Sequence, residues 1–155
     1  IEFNANWKPT NSKFGLNFGY TFTDSYDAST CDPDELASYA DNECRLTGNK
    51  VAKAKVRVPR HAVETNISYS MNQNLKSFLK GKYIGETRDF GNTNDSWTDQ
   101  ILTDYFVFDL VNSYNLLDNY KIQASINNIF DEKYQQAHEY SRMGRTFNIG
   151  IRKVY

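Results

Sequence analysis

The amino-acid sequence predicts an all-β chain, an antiparallel meander of about seven strands. Three observations carry this. Apolar and polar residues alternate with a period of two through most of the chain, as they do where successive side chains point to opposite faces of a strand. Tyr and Phe are abundant, 11 and 10 of 155 residues, and with Thr and Asn they suit half-exposed strands. The connections between the alternating stretches follow a strict order: short, long, short, long, short, long.

Ile1, Phe3, Ala5 and Trp7 alternate with Glu2, Asn4, Asn6 and Lys8. This strand runs into Pro9-Thr10-Asn11-Ser12, all turn-forming types. Phe14, Leu16, Phe18, Tyr20 and Phe22 then oppose Gly15, Asn17, Gly19, Thr21 and Thr23, the clearest alternation in the chain. From about Asp24 to Arg60 the period is lost in a long loop with Cys31, Cys44, many acids and then Lys50, Lys53, Lys55, Arg57 and Arg60. Val58-Pro59-Arg60-His61 leads back into a strand in which Val63, Thr65, Ile67 and Tyr69 oppose Glu64, Asn66 and Ser68. After a turn at Asn72-Gln73-Asn74, Leu75, Ser77, Leu79, Gly81, Tyr83 and Gly85 oppose Lys76, Lys80, Lys82 and Glu86, with Phe78 and Ile84 interrupting the polar face.

A second long loop runs from about Thr87 to Thr103. Phe106, Phe108, Leu110 and Tyr114 then oppose Tyr105, Val107, Asp109, Val111 and Ser113. Beyond the turn at Leu117-Asp118-Asn119, Ile122, Ala124 and Ile126 oppose Lys121, Gln123, Ser125 and Asn127. A third long loop, about Asp131 to Gly144, precedes a last strand. There Phe147, Ile149, Ile151 and Tyr155 share one face and Thr146, Asn148, Gly150 and Arg152 the other, with Val154 the exception.

No run of about 18 apolar residues exists, so no helix is predicted to span a membrane. A barrel strand needs only about 10 residues of alternating character, and transmembrane barrels place short turns on the periplasmic side and longer loops outside. A soluble meander has no physical reason to collect every long loop at one end. Net charge is −1, so no global field argues for nucleic acid. The first residues show no basic stretch followed by an apolar one, as a secretory signal would. Counting back from the last strand puts Ile1 on the long-loop side, and seven strands are odd where single-chain bacterial barrels are even. Residues 1–155 are therefore expected to be the C-terminal segment of a longer barrel chain.

Asn128-Ile129-Phe130-Asp131-Glu132-Lys133-Tyr134, Gly144-Arg145 and the aromatic-terminated last strand resemble the C-terminus of TonB-dependent outer-membrane receptors. Val58-Pro59-Arg60-His61 and Tyr83-Ile84-Gly85-Glu86 resemble that family's passage into one late strand and out of the next. The resemblance covers nearly the whole chain in strand layout. It implies the last seven strands of a 22-stranded barrel with a plugged lumen, in the outer membrane of a Gram-negative bacterium. It further implies energy-coupled uptake of a scarce, large solute of siderophore or cobalamin type. Tyr134-Gln135 through Tyr140 to Gly144-Arg145 is most similar to cobalamin receptors. The partners implied are the TonB energy-coupling complex, reached through the plug, the barrel assembly machinery, lipid and lipopolysaccharide, and a small-molecule or metal-chelate ligand. By the same resemblance, Phe147, Ile149, Ile151 and Tyr155 face lipid and present the assembly signal, so loss of Tyr155 should lower the amount of folded receptor. Two departures stand out: the final residue is Tyr where Phe is usual, and Lys153 lies on the apolar face, near the membrane edge where a long side chain snorkels.

With that compartment implied, Cys31 and Cys44 are expected to form an extracellular disulfide, worth roughly 3 kcal/mol for a loop of about 15 residues. Asp27, Asp32, Asp34, Glu35, Asp41 and Glu43 offer oxygens to calcium, but without regular loop spacing they read as a solvated acidic loop. Lys50, Lys53, Lys55, Arg57 and Arg60 read as a solvated loop base or as contacts to lipopolysaccharide phosphates. Lys76, Lys80, Lys82 and Asp109 face the polar side, toward plug or water. Arg88, Trp97, His138, Tyr140 and Arg142 lie in the outer loops, where ligand recognition is expected. No catalytic triad, metal set or phosphate-cradling loop is evident, so neither catalysis nor a cofactor is expected. A passive porin, a soluble ligand-binding β-barrel and an outer-membrane enzyme are the alternatives.

Overall fold

The computed structural model describes residues 1–27, 53–93, 96–116 and 119–153. Its strands are β1 (Glu2–Trp7), β2 (Phe14–Phe22), β3 (Tyr26–Asp27), β4 (Lys53–Ala54), β5 (His61–Ser70), β6 (Leu75–Ile84), β7 (Thr87–Thr93), β8 (Ser96–Leu102), β9 (Tyr105–Leu116), β10 (Tyr120–Asn127), β11 (Gln135–Ala137), β12 (Tyr140–Ser141) and β13 (Thr146–Lys153). Among the described residues, seven of them form one sheet in the order β1-β2-β5-β6-β9-β10-β13, every neighbouring pair antiparallel. This is the expected meander. The sheet is open, with β1 and β13 at its edges.

The long connections differ from expectation. Each holds a two-stranded ribbon, β3–β4, β7–β8 or β11–β12, where the period-two pattern marks only loop. β3, β4, β11 and β12 have two or three residues each, too few to show a period. β7 is long enough at seven residues, but its sequence Thr-Arg-Asp-Phe-Gly-Asn-Thr does not alternate apolar with polar.

The register sorts the side chains of the large sheet into two faces. On one, Phe3, Tyr20, Val63, Tyr83 and Phe106 form a row across five strands, and Tyr114, Ile122 and Ile151 continue the same face on β9, β10 and β13. On the other, Asn6, Asn17, Asn66, Lys80 and Asp109 line up across β1, β2, β5, β6 and β9. The apolar face has no protein layer over most of its area: Phe147 is 71% exposed, Ile149 79% and Ile151 71%. Among the described residues the buried hydrophobic side chains are Leu102 and Tyr105 alone. This sheet therefore keeps its apolar surface outside, as a membrane barrel does.

Some polar residues on the apolar face find partners beside them. Ser77 donates to Asn112 Oδ1 across the β6–β9 pair at 2.6 Å, and Lys153 lies over the ring of Tyr120, its register partner, at 5.9 Å. At the end nearer the long connections, Tyr20 OH and His61 Nδ1 are 2.9 Å apart. Arg60 spans Phe22 and Asp24, with its guanidinium 5.9 Å from the Phe22 ring centre and Nη2 2.8 Å from the Asp24 carboxylate. Such a mixed aromatic belt marks a barrel's water interface. At the opposite end the first two short turns form where turn residues predict them. Asn72 Oδ1 accepts from the N–H groups of Asn74 and Leu75 at 2.9 and 2.8 Å, and Ser12 Oγ accepts from Phe14 at 3.0 Å.

Candidate functional site

The three long connections meet at Asp89 of β7, whose side chain is fully buried. Asp89 Oδ1 accepts from its neighbour's amide, Phe90 N–H, at 2.9 Å and from Arg57 Nε at 3.0 Å. Oδ2 accepts from His138 N–H, between β11 and β12, at 2.7 Å. Arg57 lies between β4 and β5, adopts a left-handed φ of 60° and donates its own N–H to Arg88 O at 2.8 Å. One carboxylate thus binds a segment of each connection. Burial alone would raise its pKa. The amides of His138 and Phe90 and then the Arg57 guanidinium outweigh that and hold the carboxyl below the usual carboxylate range.

His138 is placed by a glycine. A Cβ on Gly91 would fall 2.6 Å from His138 Nε2 and 2.7 Å from Gln100 Cγ, so the ring rests directly on the β7 backbone. Gly91→Ala should push the His138 ring and Gln100 apart and raise hydrogen exchange at the His138 amide about tenfold, about 1.4 kcal/mol, with the folded fraction on a heat-modifiability gel unchanged. An unaltered exchange rate would show that Gly91 does not place His138.

Below His138, Tyr134 stacks on Tyr105 with ring centres 4.2 Å apart. Arg142 donates through Nε to Gln136 Oε1 at 2.7 Å, and Gln136 Nε2 lies 3.5 Å from Tyr105 OH. Burial, and next the nearby Tyr105, push the Tyr134 phenol up, so it stays a hydrogen-bond donor at neutral pH. His138, Arg142, Gln100 and Tyr134 line one cavity of about 650 Å³. It can offer a planar guanidinium, an imidazole and a phenol to an oxygen-rich ligand.

Of the predicted recognition residues, His138 and Arg142 come together in that cavity. Arg88 does not join them. It is 7% exposed, its guanidinium lies 4.5 Å from the Phe90 ring centre, and it lines a different cavity. Tyr140 is 74% exposed. Trp97 sits on β8 with its backbone opposite Asn92, and its side chain lies outside the described set. Cys31, Cys44 and Tyr155 lie outside the described residues, as do the acids from Asp32 to Glu43 and Lys50. Arg57, expected in a solvated loop base or at lipid phosphates, instead keeps a 58% exposed side chain tied to buried Asp89. Asp89, Gly91, Gln136 and the Tyr105–Tyr134 pair were not singled out by sequence.

The Asn128–Tyr134 segment proves to be a turn builder. Asn128 has a φ of 52° and Asp131 one of 57°. Asn128 is 4% exposed, and its amide closes a ring with Glu132: Nδ2 donates to Glu132 O at 2.9 Å and Oδ1 accepts from Glu132 N–H at 2.8 Å. Its own N–H donates to Asp109 Oδ1 at 2.8 Å. Asp131 Oδ1 accepts from Arg145 N–H at 2.7 Å, and a Cβ on Gly144 would strike that same oxygen. The two halves of the motif therefore meet in space and close the base of the third connection. Asn128→Ala loses both side-chain hydrogen bonds and strains the left-handed backbone. It should cost about 2 kcal/mol, read as a lower urea midpoint of the folded protein, with Asn128→Gly recovering only the strain.

Residues 1–129 match the family described as TonB dependent receptor-like, beta-barrel. The chain is similar to the iron-regulated outer membrane virulence protein of two Vibrio cholerae serotype O1 strains, 28% identical over 108 residues that cover 68% of this chain and 16% of that protein. Among solved structures it is similar to the closed form of the ferric-catecholate import receptor Fiu from E. coli K12, with a TM-score of 0.69 and 17% identity over 98% of this chain and 20% of that one. It is also similar to the ferripyoverdine receptor of the Pseudomonas aeruginosa outer membrane, with a TM-score of 0.68 and 16% identity over 98% of this chain and 19% of that one. The siderophore receptor PirA from Acinetobacter baumannii gives a TM-score of 0.69 at 13% identity, over 98% and 21%. The chain spans about a sixth of the length of these curated relatives and about a fifth of these solved receptors.

Proposed function

This chain belongs to the TonB-dependent receptor-like β-barrel family of the Gram-negative outer membrane, and from that premise we propose that the protein carrying it takes up a siderophore-type ferric chelate by energy-coupled transport. The observation that carries the reading is the platform at one end of the sheet, where Asp89 ties the three long connections beside a cavity lined by His138 and Arg142. A ferric chelate is large and rich in oxygen, which suits a cavity of that volume with charged and phenolic donors. The names of the similar proteins, an import receptor for ferric catecholate and a siderophore receptor, favour the siderophore side of the expectation over cobalamin. Coupling to the TonB complex through a plug, insertion by the barrel assembly machinery and a place as the C-terminal segment belong to this proposal. The family is one of transport receptors, and no catalytic step is proposed. Cys31 and Cys44 are proposed to be disulfide-bonded, which an intact mass without reductant lower by two protons would support.

The test is uptake of labelled ferric siderophores and of cobalamin by iron-limited cells with and without the full receptor. Uptake of a ferric siderophore should need both the receptor and the energy-coupling complex. Uptake that persists when the coupling complex is deleted would favour a passive pore, and cobalamin as the sole solute would overturn the substrate class.

A further inference from the structure

The polar side of the sheet carries a run of three hollows that share walls. The first is the cavity of about 650 Å³ beside His138 and Arg142. Its wall residue Tyr134 also lines a second hollow of about 340 Å³, with Lys80, Lys82 and Asp109 of β6 and β9. Glu64 and Asn66 of β5 line that hollow too, and they line a third of about 340 Å³ with Asn4, Asn6 and Asn17 of β1 and β2. The register gives the run its direction. Ala62 and Tyr105 both pair with Ile84 at the long-connection end, and Asn66 and Asp109 both pair with Lys80 four residues further in. Four residues are about 13 Å of strand. The run thus leads from the long connections toward the middle of the wall while it crosses from β9 to β1. Its charge falls on the way. In the second hollow Lys82 Nζ lies 3.4 Å from Glu64 Oε1, Lys80 stands opposite Asp109, and Asp109 Oδ1 takes the Asn128 N–H at 2.8 Å. In the third, apart from Glu64, the polar side chains are carboxamides.

We infer that this wall is the solute's way inward, from the His138–Arg142 cavity past Tyr134 to the Lys80 hollow and on to the asparagine hollow of β1, β2 and β5. The inference rests on the uptake reading and adds to it the route and the chemistry of each step. A chelate rich in oxygen and amide groups meets hydrogen-bond donors and acceptors in every hollow. Beyond the first cavity each ammonium group has a carboxylate beside or opposite it, so no step holds an anionic solute by an isolated charge. Passage needs sites that bind well enough to be entered and weakly enough to be left, and the falling charge along the run meets that need. Because Tyr134, and then Glu64 and Asn66, belong to two hollows each, a large solute reaches the next hollow before it has left the last.

The experiment is thiol labelling of the full receptor in iron-limited, energised cells, with folding checked by heat-modifiable migration. The solute probes are a ferric tris-catecholate and a ferric tris-hydroxamate, the reagent is a hydrophilic maleimide, and each reporter peptide is read by mass spectrometry. With a probe that is being taken up, Asn66→Cys, where the two inner hollows join, and Asn17→Cys, in the third, should label about tenfold more slowly. Ser125→Cys, on the polar side of β10 and off the run, should label at an unchanged rate. Equal slowing at all three, or none at Asn66→Cys and Asn17→Cys while uptake proceeds, would overturn the route and leave the uptake reading standing. So would an Asn66→Cys reporter that stays closed to the reagent during uptake, since a chelate does not pass where a smaller maleimide is shut out. A receptor that takes up neither probe would overturn the uptake reading and the route with it. Should Asn66→Cys fail to fold, Asn17→Cys against Ser125→Cys decides the matter alone.

Discussion

Replacing Asp89 with alanine should release all three long connections at once. The loss comes mainly from the two backbone N–H groups, of Phe90 and His138, that the carboxylate now satisfies in a buried place. Each buried orphan donor costs about 1–3 kcal/mol, and the half-exposed Arg57 adds little once solvent screening is counted. A local penalty of about 3 kcal/mol follows. It falls on loop order rather than on the sheet, which keeps its own ladder. Hydrogen exchange at the Phe90 and His138 amides should rise by about a hundredfold, ligand affinity should fall, and heat-modifiable migration should stay normal. Asp89→Asn should not rescue, because its amide turns one acceptor into a donor where donors already converge. The pH dependence has a fixed sign. The carboxyl's folded pKa is depressed, so its stabilisation is fully present above the ordinary carboxylate range and is lost as pH falls through the lower folded value. The cluster should therefore stay tied through mild acid and loosen only in strong acid. Unchanged amide exchange in Asp89→Ala would show that the connections are held by other contacts.

Ile149→Arg should be the most damaging change in the terminal strand. Ile149 pairs with Ala124 on the apolar face, while Asn148 pairs with Ser125 on the other. An arginine on the lipid side near the bilayer midplane costs about 2–4 kcal/mol, a large fraction of a typical folding free energy. Asn148→Arg keeps its charge toward the polar interior and should cost far less. The two variants introduce the same side chain one position apart in one strand, so charge, size and chain context are matched. Folded receptor measured by heat-modifiable migration in the outer membrane should fall steeply for Ile149→Arg and modestly for Asn148→Arg. Equal losses would reverse or erase the facing of β13.

The strands of the large sheet were legible because lipid and water sit on opposite sides of them, so each residue's polarity reports its face. β2 is the clearest case. Apolar and polar residues alternate without a break, and the outermost aromatics of that pattern, Phe14 and Phe22, are the strand's own first and last residues. The β7–β8 ribbon was not legible, since neither Thr87–Thr93 nor Ser96–Leu102 alternates apolar with polar. Asp89 was invisible for a related reason. An aspartate among polar neighbours reads as solvated, and its burial depends on Arg57 and His138, distant in sequence by 32 and 49 positions. Gly91 carried a faint signal, a glycine inside a polar stretch where a close backbone approach is one reading. The resemblance drew attention to Asn128–Tyr134 and Gly144–Arg145, but only the folded chain reveals that Asp131 joins them.

The row of Asn6, Asn17, Asn66, Lys80 and Asp109 has a mechanical consequence. A carboxamide both gives and takes hydrogen bonds, so it accepts water and protein with little preference. Asn4, Asn6, Asn17 and Asn66 line a shallow hollow of about 340 Å³ on this wall. Anything seated there can trade its bonds for water singly, in small increments, instead of breaking them together.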